Sequence, residues 1–168
     1  MPHRPLLLGL LVLSLSAVAA PLATAEPLKL AERRDLTLQL GNALAQATLA
    51  VCHAQQRTAV VAVVDRAGQL MVLLRDDNVG PHNTQAAQRK AFTALSTKTA
   101  TSLLAERASS NPTAANLTTL DELLLLGGGV PVVVDNEVVG AIGVAGAGGA
   151  QFDQACAVTA IEQITQTR

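Results

Sequence analysis

Two hydrophobic periods alternate along the first half of the chain. Residues 36–56 place apolar side chains at spacings of three and four, which predicts an amphipathic helix with Asp35 or Thr37 as the candidate N-cap. Residues 58–75 are instead two apolar runs, the first of them rich in valine, split by the turn sequence Asp65-Arg66-Ala67-Gly68. Short apolar runs with β-branched residues, on either side of a glycine-containing turn, predict a β-hairpin.

The next part of the chain returns to a helical pattern. Pro81 suits the first turn of a helix, and residues 82–96 continue at helical spacing. Residues 97–122 are polar and are broken at Asn111-Pro112, which predicts one short helix followed by a loop.

A second apolar block, residues 123–147, contains the tight-turn pair Asp135-Asn136. It predicts another hairpin, with space for a third strand in the same block. Residues 150–166 are again in helical register. Hairpin-linked strands pair antiparallel, so the predicted fold is an α+β domain with a central antiparallel sheet of about five strands and helices packed on it.

The first 25 residues do not fit this domain. A short basic start, MPHR, precedes the apolar run PLLLGLLVLSLSAVAA and the small-x-small triplet Ala23-Thr24-Ala25. These are the three parts of a secretory signal peptide. Cleavage after Ala25 would leave residues 26–168 as a single periplasmic or secreted domain, and an uncleaved N-terminal anchor is the alternative. No later apolar run reaches the roughly 20 residues of a membrane span, so we expect none in the mature chain.

The charge balance and the composition argue against several classes of binding partner. Without Arg4, the mature chain keeps 11 of the 12 basic residues, against 13 acidic residues. A nucleic-acid surface would need a basic stripe, and single-strand binders stack bases on aromatic rings, yet the chain has no Trp, no Tyr and two Phe. We therefore expect no nucleic-acid partner, and a core built from aliphatic side chains.

The two cysteines, Cys52 and Cys156, both belong to the predicted mature chain. In an oxidising compartment they can pair, and the bond would close a loop of about 100 residues. Two buried free thiols fit the sequence equally well, so the cysteine pattern alone leaves both states open.

Glycine-rich segments raise the question of phosphate binding. GVAGAGG, residues 143–149, lies between a predicted strand and a predicted helix, so its amides could face an anion at the helix N-terminus. The chain has no GK[ST] sequence, and no βαβ unit supplies a ribose-binding acid. The favoured interpretation is a bend that returns the last helix to the sheet.

The helix that begins at His82 gathers the most reactive side chains of the chain. Spacings of four, three and four place His82, Ala86, Arg89 and Thr93 on one face, with Lys90 beside them. Imidazole is a metal ligand, and Arg and Lys pair with carboxylates. This face therefore predicts a binding wall, and a solvated helix surface is the alternative.

Other signatures of catalysis are missing from the sequence, which has no GxSxG, HExxH or CxxC. His53 falls near the end of the first helix, where a structural or solvated histidine suits the helix dipole. Asp76 and Asp77 are adjacent, so in a strand they would point to opposite faces. We interpret them as turn residues.

Two longer segments carry a family resemblance. They are VAVVDRAGQLMVLLRDDNVGPHNTQAAQRKAFTAL, residues 61–95, and GGGVPVVVDNEVVGAIGVAGAGGAQFDQACA, residues 127–157. With these motifs in this order, the chain resembles the GlcG-like, haem-degrading family, which includes extracellular haem-binding proteins and the C-terminal domain of PduO proteins. The resemblance extends from Leu36 to the final helix.

The resemblance implies a profilin-like fold with helices on both faces of the sheet, self-assembly into homo-oligomers, and binding of haem or, less directly, of a corrinoid. Ala145 departs from the family pattern, because relatives commonly have Ser there. The positions that match the family motifs are Asp65, Gly68, Arg89, Lys90, Thr93, Gly128, Gly129, Pro131, Gly140, Gly143 and Gly146.

From the resemblance we predict haem as the cofactor. His82 is then the predicted axial ligand of the iron, and Arg89 and Lys90 are the predicted partners of the two propionates. Thr93 would share this wall, and Phe92 would help to line the porphyrin. Met71 is a further candidate iron ligand, although a strand methionine is more often part of a core.

The implied fold also bears on the cysteines. In a profilin-like arrangement the first and last helices lie side by side on one sheet face, which brings the end of the first near the start of the last. The resemblance therefore favours a disulfide between Cys52 and Cys156.

Three functions follow from these observations. The leading interpretation is an exported haem-binding protein, with haem-degrading or iron-handling activity as an extension. The alternative is an enzyme of the same fold that acts on a small carboxylate or a corrinoid-related metabolite, with His82 as acid and base. The third is a structural or sensory protein without catalysis.

Overall fold

Helices and strands alternate along the part of the chain that the computed structural model describes, residues 28–166. The predicted leader, residues 1–25, lies outside these residues. The folded unit begins at Arg33. Its elements are α1 Leu38–Ala54, β1 Val60–Asp65, β2 Leu70–Arg75, α2 His82–Thr97, α3 Thr101–Ser110, α4 Pro112–Ala115, a 3-10 turn Asn116–Thr119, β3 Gly129–Val134, β4 Glu137–Ala145 and α5 Ala150–Gln166.

One antiparallel sheet in the order β2-β1-β4-β3 forms the centre of the domain. Strand β1 is buried on both faces because its side chains alternate between two cores. Val61 and Val63 join the core under α1 and α5, whereas Val60 and Ala62 join the core under α2. The predicted α+β fold with helices on both faces is confirmed.

The strand count differs from the prediction, since the described chain has four strands rather than about five. The leucines before β3 stay out of the sheet because side chains satisfy their backbone groups. Leu124 N donates to Thr93 Oγ1 at 2.8 Å, and Leu126 O accepts from Thr101 Oγ1 at 2.8 Å. The space for a third strand in this block is therefore filled by a loop.

Local chemistry explains the ends of the predicted elements. Thr37 caps α1 by accepting from Leu40 N at 3.2 Å, so of the two candidate caps it is the one that the helix uses. Asp65 accepts from Ala67 N at 2.9 Å and from Gln69 N at 2.8 Å, which closes the first hairpin turn as an Asx-type turn.

The glycine-rich segment after β4 is a bend, as predicted. Gly146 has φ of 96° and Gly148 has φ of 95°, in the left-handed region that favours glycine. Asp153, in the first turn of α5, accepts from Ala147 N at 2.8 Å. The bend therefore starts α5 in the direction that returns it to the sheet.

Glycines of the second hairpin let α2 lie directly on the strands. A Cβ at Gly143 would collide with Ala87 O and would lie 2.5 Å from Ala91 N, and a Cβ at Gly129 would collide with Lys90 O. Such contacts involve backbone on both sides, so neither partner can rotate away. The close approach of helix and sheet therefore depends on these positions having no side chain.

Substituting Gly143 by alanine should therefore destabilise the domain by about 1–3 kcal/mol through overpacking. Gly41→Ala is the matched control, because a Cβ there would lie 3.6 Å from its nearest neighbour, Val72 Cγ2. That substitution adds an alanine inside α1 and should be neutral or stabilising by up to about 1 kcal/mol. Urea unfolding followed by circular dichroism compares the two. Equal effects of both substitutions would show that the close approach of α2 does not determine the cost.

Within residues 28–166, no helix has the length and apolar character needed to cross a bilayer.

Candidate functional site

The residues of the predicted binding wall on α2 differ in how deeply they are buried. His82 at the start of the helix is exposed, Arg89 and Phe92 are half-buried, and Lys90 and Thr93 are buried. The helix lies on the sheet through a stripe of small side chains at Ala87, Ala91 and Ala94. Residues on this stripe face the core, and those on the opposite side face solvent.

His82 carries an imidazole with no hydrogen-bond or ion-pair partner in the described part of the chain. It stands at the first residue of α2, directly after Pro81, and its ring lies close to Gly80. No group of three or more His, Cys, Asp or Glu side chains that could hold a metal ion occurs among residues 28–166. Any metal at His82 would therefore have to bring most of its own ligands, as haem does.

His53 differs from His82 because it already has a partner. Its Nε2 lies 2.8 Å from Asp76 Oδ2, and the same oxygen accepts from Ala59 N at 2.8 Å. The carboxylate thus links the end of α1 to the start of β1. The structural interpretation of His53 is confirmed, and Asp76 lies just after β2 as a residue of the connection.

One nitrogen of the Arg89 guanidinium group has a hydrogen-bond partner in the described structure, and another has none. Its Nη2 donates to Leu123 O at 2.7 Å. Its Nε is buried and has no hydrogen-bond partner in the described structure. Buried donors are nearly always paired in native proteins, so an orphaned one suggests an acceptor that is missing from the protein itself.

A cleft of about 250 Å³ opens beside Arg89, and we name it the Arg89 cleft. Phe92 forms one wall, with its ring packed on Gly68, where a Cβ would come within 3.0 Å of Phe92 Cε2. Glu122 is the acidic residue of the lining. The remaining lining is mainly apolar, from Val64, Gly68, Leu70 and Gln88. Arg89 and Phe92 thus line the same cleft, whereas His82 does not line it.

Lys90 does not lie where the prediction placed it. Its side chain is 1% exposed, and Nζ donates to Asp153 Oδ2 at 2.8 Å and to Val144 O at 2.9 Å. The ammonium group therefore joins α2 to β4 and α5 inside the core. It cannot reach a propionate, and Arg89 and Lys90 do not form a pair of surface cations.

Thr93 is also buried and committed to the protein. Its Oγ1 donates to Arg89 O and accepts from Leu124 N, at 2.7 and 2.8 Å. It fixes the loop that also receives the Arg89 guanidinium, so it positions Arg89 rather than facing a ligand. Met71 packs partly buried against the core under α1, which confirms its interpretation as a core residue.

Asp153 is the residue of this region that the sequence patterns did not single out. It pairs with Lys90 and caps the bend before α5. Its position in the first turn of a helix was the one local signal, because a carboxylate there suits the positive end of the helix dipole. Its partner, 63 residues away, was not visible in any local pattern.

Cys52 and Cys156 form a disulfide, with their Cα atoms 5.4 Å apart and a separation of 104 residues in sequence. Both side chains are fully buried in the core under α1 and α5. The disulfide prediction is therefore confirmed. It lies on the opposite face of the sheet from α2.

Comparison with known proteins gives one family. The model of a family described as haem degrading protein, HbpS-like, matches residues 36–162. Protein GlcG of Escherichia coli strain K12 is 34% identical over 109 residues, which cover 65% of this chain and 80% of GlcG.

Solved structures agree with that match. A double mutant of HbpS from Streptomyces reticuli is 37% identical, covers 88% of this chain and 99% of its own, and superposes with a TM-score of 0.77. A structure of PduOC in complex with haem is 27% identical, covers 76% of this chain and 94% of its own, and has a TM-score of 0.69.

Proposed function

Because this chain belongs to the HbpS-like family of haem degrading proteins, we propose that it is an exported haem-binding protein in which His82 is the axial ligand of the iron. The observation that carries this proposal is the state of the two described histidines. His53 is bound to Asp76, whereas His82 is exposed and has no partner among residues 28–166. The related PduOC structure, which contains haem, supports haem as the ligand class.

Arg89 is the proposed partner of a haem propionate. It follows His82 by seven residues on the same helix, a rise of about 10 Å, so both can face one flat ligand laid along α2. Arg89 is only half-buried and lines the Arg89 cleft, so its guanidinium group could donate to a propionate there, and the adjacent Phe92 would contact the edge of the porphyrin. Lys90 is excluded from this role by its burial.

Haem bound in this way would supply an iron centre whose reactivity is set by its axial ligand and the polarity around it. The chain's own residues would bind and orient the group, with an imidazole at one point and a guanidinium at another. Haem degradation, the activity in the family description, would be seen as loss of the haem spectrum after binding.

Replacing His82 by alanine should weaken haemin binding more than about tenfold, or about 1.4 kcal/mol, and should shift the Soret band. The reason is that the described chain offers no second free imidazole. Absorbance titration of the mature protein with haemin measures both quantities. His53→Ala is the matched control and should leave the spectrum and affinity unchanged. An unaltered Soret band and affinity in His82→Ala would reject His82 as the ligand.

Export is supported by the leader pattern of residues 1–25 together with the buried disulfide. Disulfides persist in oxidising compartments and are rare in the bacterial cytosol. We propose the periplasm or the exterior as the location. The predicted homo-oligomer stays a prediction.

A further inference from the structure

The tips of both hairpins and the end of α2 surround a second cavity, of about 430 Å³. We name it the hairpin-end cleft. Arg66 comes from the first hairpin turn, Glu137 begins β4, and Lys98 is the residue that ends α2. Arg33 enters from the segment before α1. Elements far apart in sequence thus bring several charges to one opening.

Positive charge is in excess in this cleft. Arg66 Nη1 lies 3.1 Å from Glu137 Oε2, and Arg34 Nε lies 3.9 Å from the same oxygen. The carboxylate is therefore shared between two guanidinium groups. Among the described residues, the side-chain charges of Arg33 and Lys98 have no partner, so an anion in the cleft would meet cations that the protein does not neutralise.

Lys98 occupies a backbone position that normally favours another residue type. It ends α2 with φ of 52° and ψ of 31°, in the left-handed region. Glycine is the usual residue at such a helix end because it has no Cβ to strain. A lysine here is less stable than glycine would be, so its side chain is a candidate for a role other than ending the helix.

An apolar floor accompanies these charges. Phe92, Leu95 and Val138 line the same cleft, so a ligand with a short hydrocarbon body would bury it there. Three lining cations, Arg33, Arg66 and Lys98, against the single carboxylate of Glu137 leave an excess of two positive charges. Guanidinium groups match the planar geometry of carboxylates.

From this combination we propose that the hairpin-end cleft binds a small organic dianion of the dicarboxylate class. This site differs from the proposed haem site, although Phe92 borders both clefts. Lys98 follows His82 by 16 residues on α2, a separation of about 24 Å along the helix, which is longer than the distance from haem iron to its propionates. Dicarboxylate binding should therefore not depend on His82.

Isothermal titration of the mature protein with succinate tests the site. Butyrate, with the same chain length and one carboxylate, should bind more weakly, and added salt should weaken succinate because exposed charges are screened. Lys98→Gly should weaken succinate by about threefold to tenfold. It should leave the melting temperature unchanged or higher, because glycine suits this helix end.

Two control variants distinguish binding in the hairpin-end cleft from general attraction of an anion to the protein surface. Arg107→Gln removes an exposed charge on α3, away from the cleft, and should leave succinate affinity unchanged. His82→Ala should also leave it unchanged, whatever its effect on haem. The proposal is overturned if succinate does not bind, if Lys98→Gly and Arg107→Gln act alike, or if butyrate or inorganic sulfate binds as tightly as succinate.

Discussion

Replacing Lys90 by methionine should destabilise the folded domain by about 3–5 kcal/mol, the range for breaking a buried ion pair at one partner. Methionine is similar in length and leaves no large cavity, so the loss comes from the charge. Asp153 would keep its carboxylate in the core without the ammonium group, and Val144 O would lose its donor. Typical domains have a free energy of unfolding of roughly 5–15 kcal/mol, so this loss would be a large fraction of the stability.

Urea unfolding followed by far-ultraviolet circular dichroism measures the effect, since the chain lacks Trp and Tyr. Gln85→Met is the matched control, because it places the same side chain at an exposed position of α2 and should change stability by less than about 0.5 kcal/mol. A loss from Lys90→Met no larger than that of the control would show that the pair does not stabilise the domain.

A second variant tests whether the unpaired carboxylate of Asp153 causes the destabilisation. Asp153→Asn in the Lys90→Met background removes the unpaired carboxylate while keeping an oxygen that can accept from Ala147 N. The double variant should therefore be more stable than Lys90→Met alone. If the two losses simply add, the residues do not interact energetically, and the unpaired carboxylate is not the cause of the destabilisation in Lys90→Met.

Lys90 also shows what a helical sequence pattern predicts about a residue and what it leaves open. Arg89 and Lys90 are adjacent and alike in charge, and both were predicted as propionate partners, although helical spacing placed Lys90 on the neighbouring face. Consecutive helical residues point about 100° apart, and α2 rests on the sheet, so burial separates the two. The signal was present in the stripe of Ala87, Ala91 and Ala94, because Lys90 falls within it at helical spacing. A lysine among alanines indicates a buried partner, but not which one.

The strands were predictable to the extent that their pairing is local. Both hairpins carry their turn residues between their strands, so Asp65 and the pair Asp135-Asn136 located them correctly. The leucines at 123–126 were harder, because an apolar run does not reveal what bonds its backbone. Their partners, Thr93 and Thr101, lie 31 and 25 residues away, and such contacts exist only after the helices have docked.

The candidate site was predictable in part for the same reason. Helical spacing and the family resemblance singled out His82, Arg89 and Phe92, which all belong to one helix. The charges of the hairpin-end cleft come from separate elements, and only the folded chain brings Arg33, Arg66 and Lys98 together.

Reducing the Cys52–Cys156 disulfide should lower the free energy of unfolding by about 4–5 kcal/mol in the chain-entropy model. The bond links residues 104 positions apart, so it removes a large loop entropy from the unfolded chain. The measurement is the urea midpoint with and without a phosphine reductant. The double variant Cys52→Ala and Cys156→Ala is the control, because reductant should not affect it. An unchanged midpoint after complete reduction of the wild type would contradict the expected stabilisation.

The oxidation state of the same disulfide, together with the N-terminal residue of the protein, tests the proposed export. Protein recovered from the periplasm should begin at Glu26 and should contain no thiol that reacts with a labelling reagent after unfolding. Both follow if the leader is cleaved after Ala25 and the chain then folds in an oxidising compartment. An intact leader or two labelled cysteines in that fraction would contradict the proposed location or the pairing there.

Because of its position, the disulfide should affect the stability of the domain but not its binding of ligands. It joins α1 to α5 on one face of the sheet, whereas His82, Arg89 and Lys98 belong to α2 or to its end, on the other face. Under conditions in which the reduced protein remains folded, the haemin spectrum and succinate affinity should match those of the oxidised protein. A loss of either ligand on reduction, without unfolding, would show that the two helical layers are coupled through the sheet.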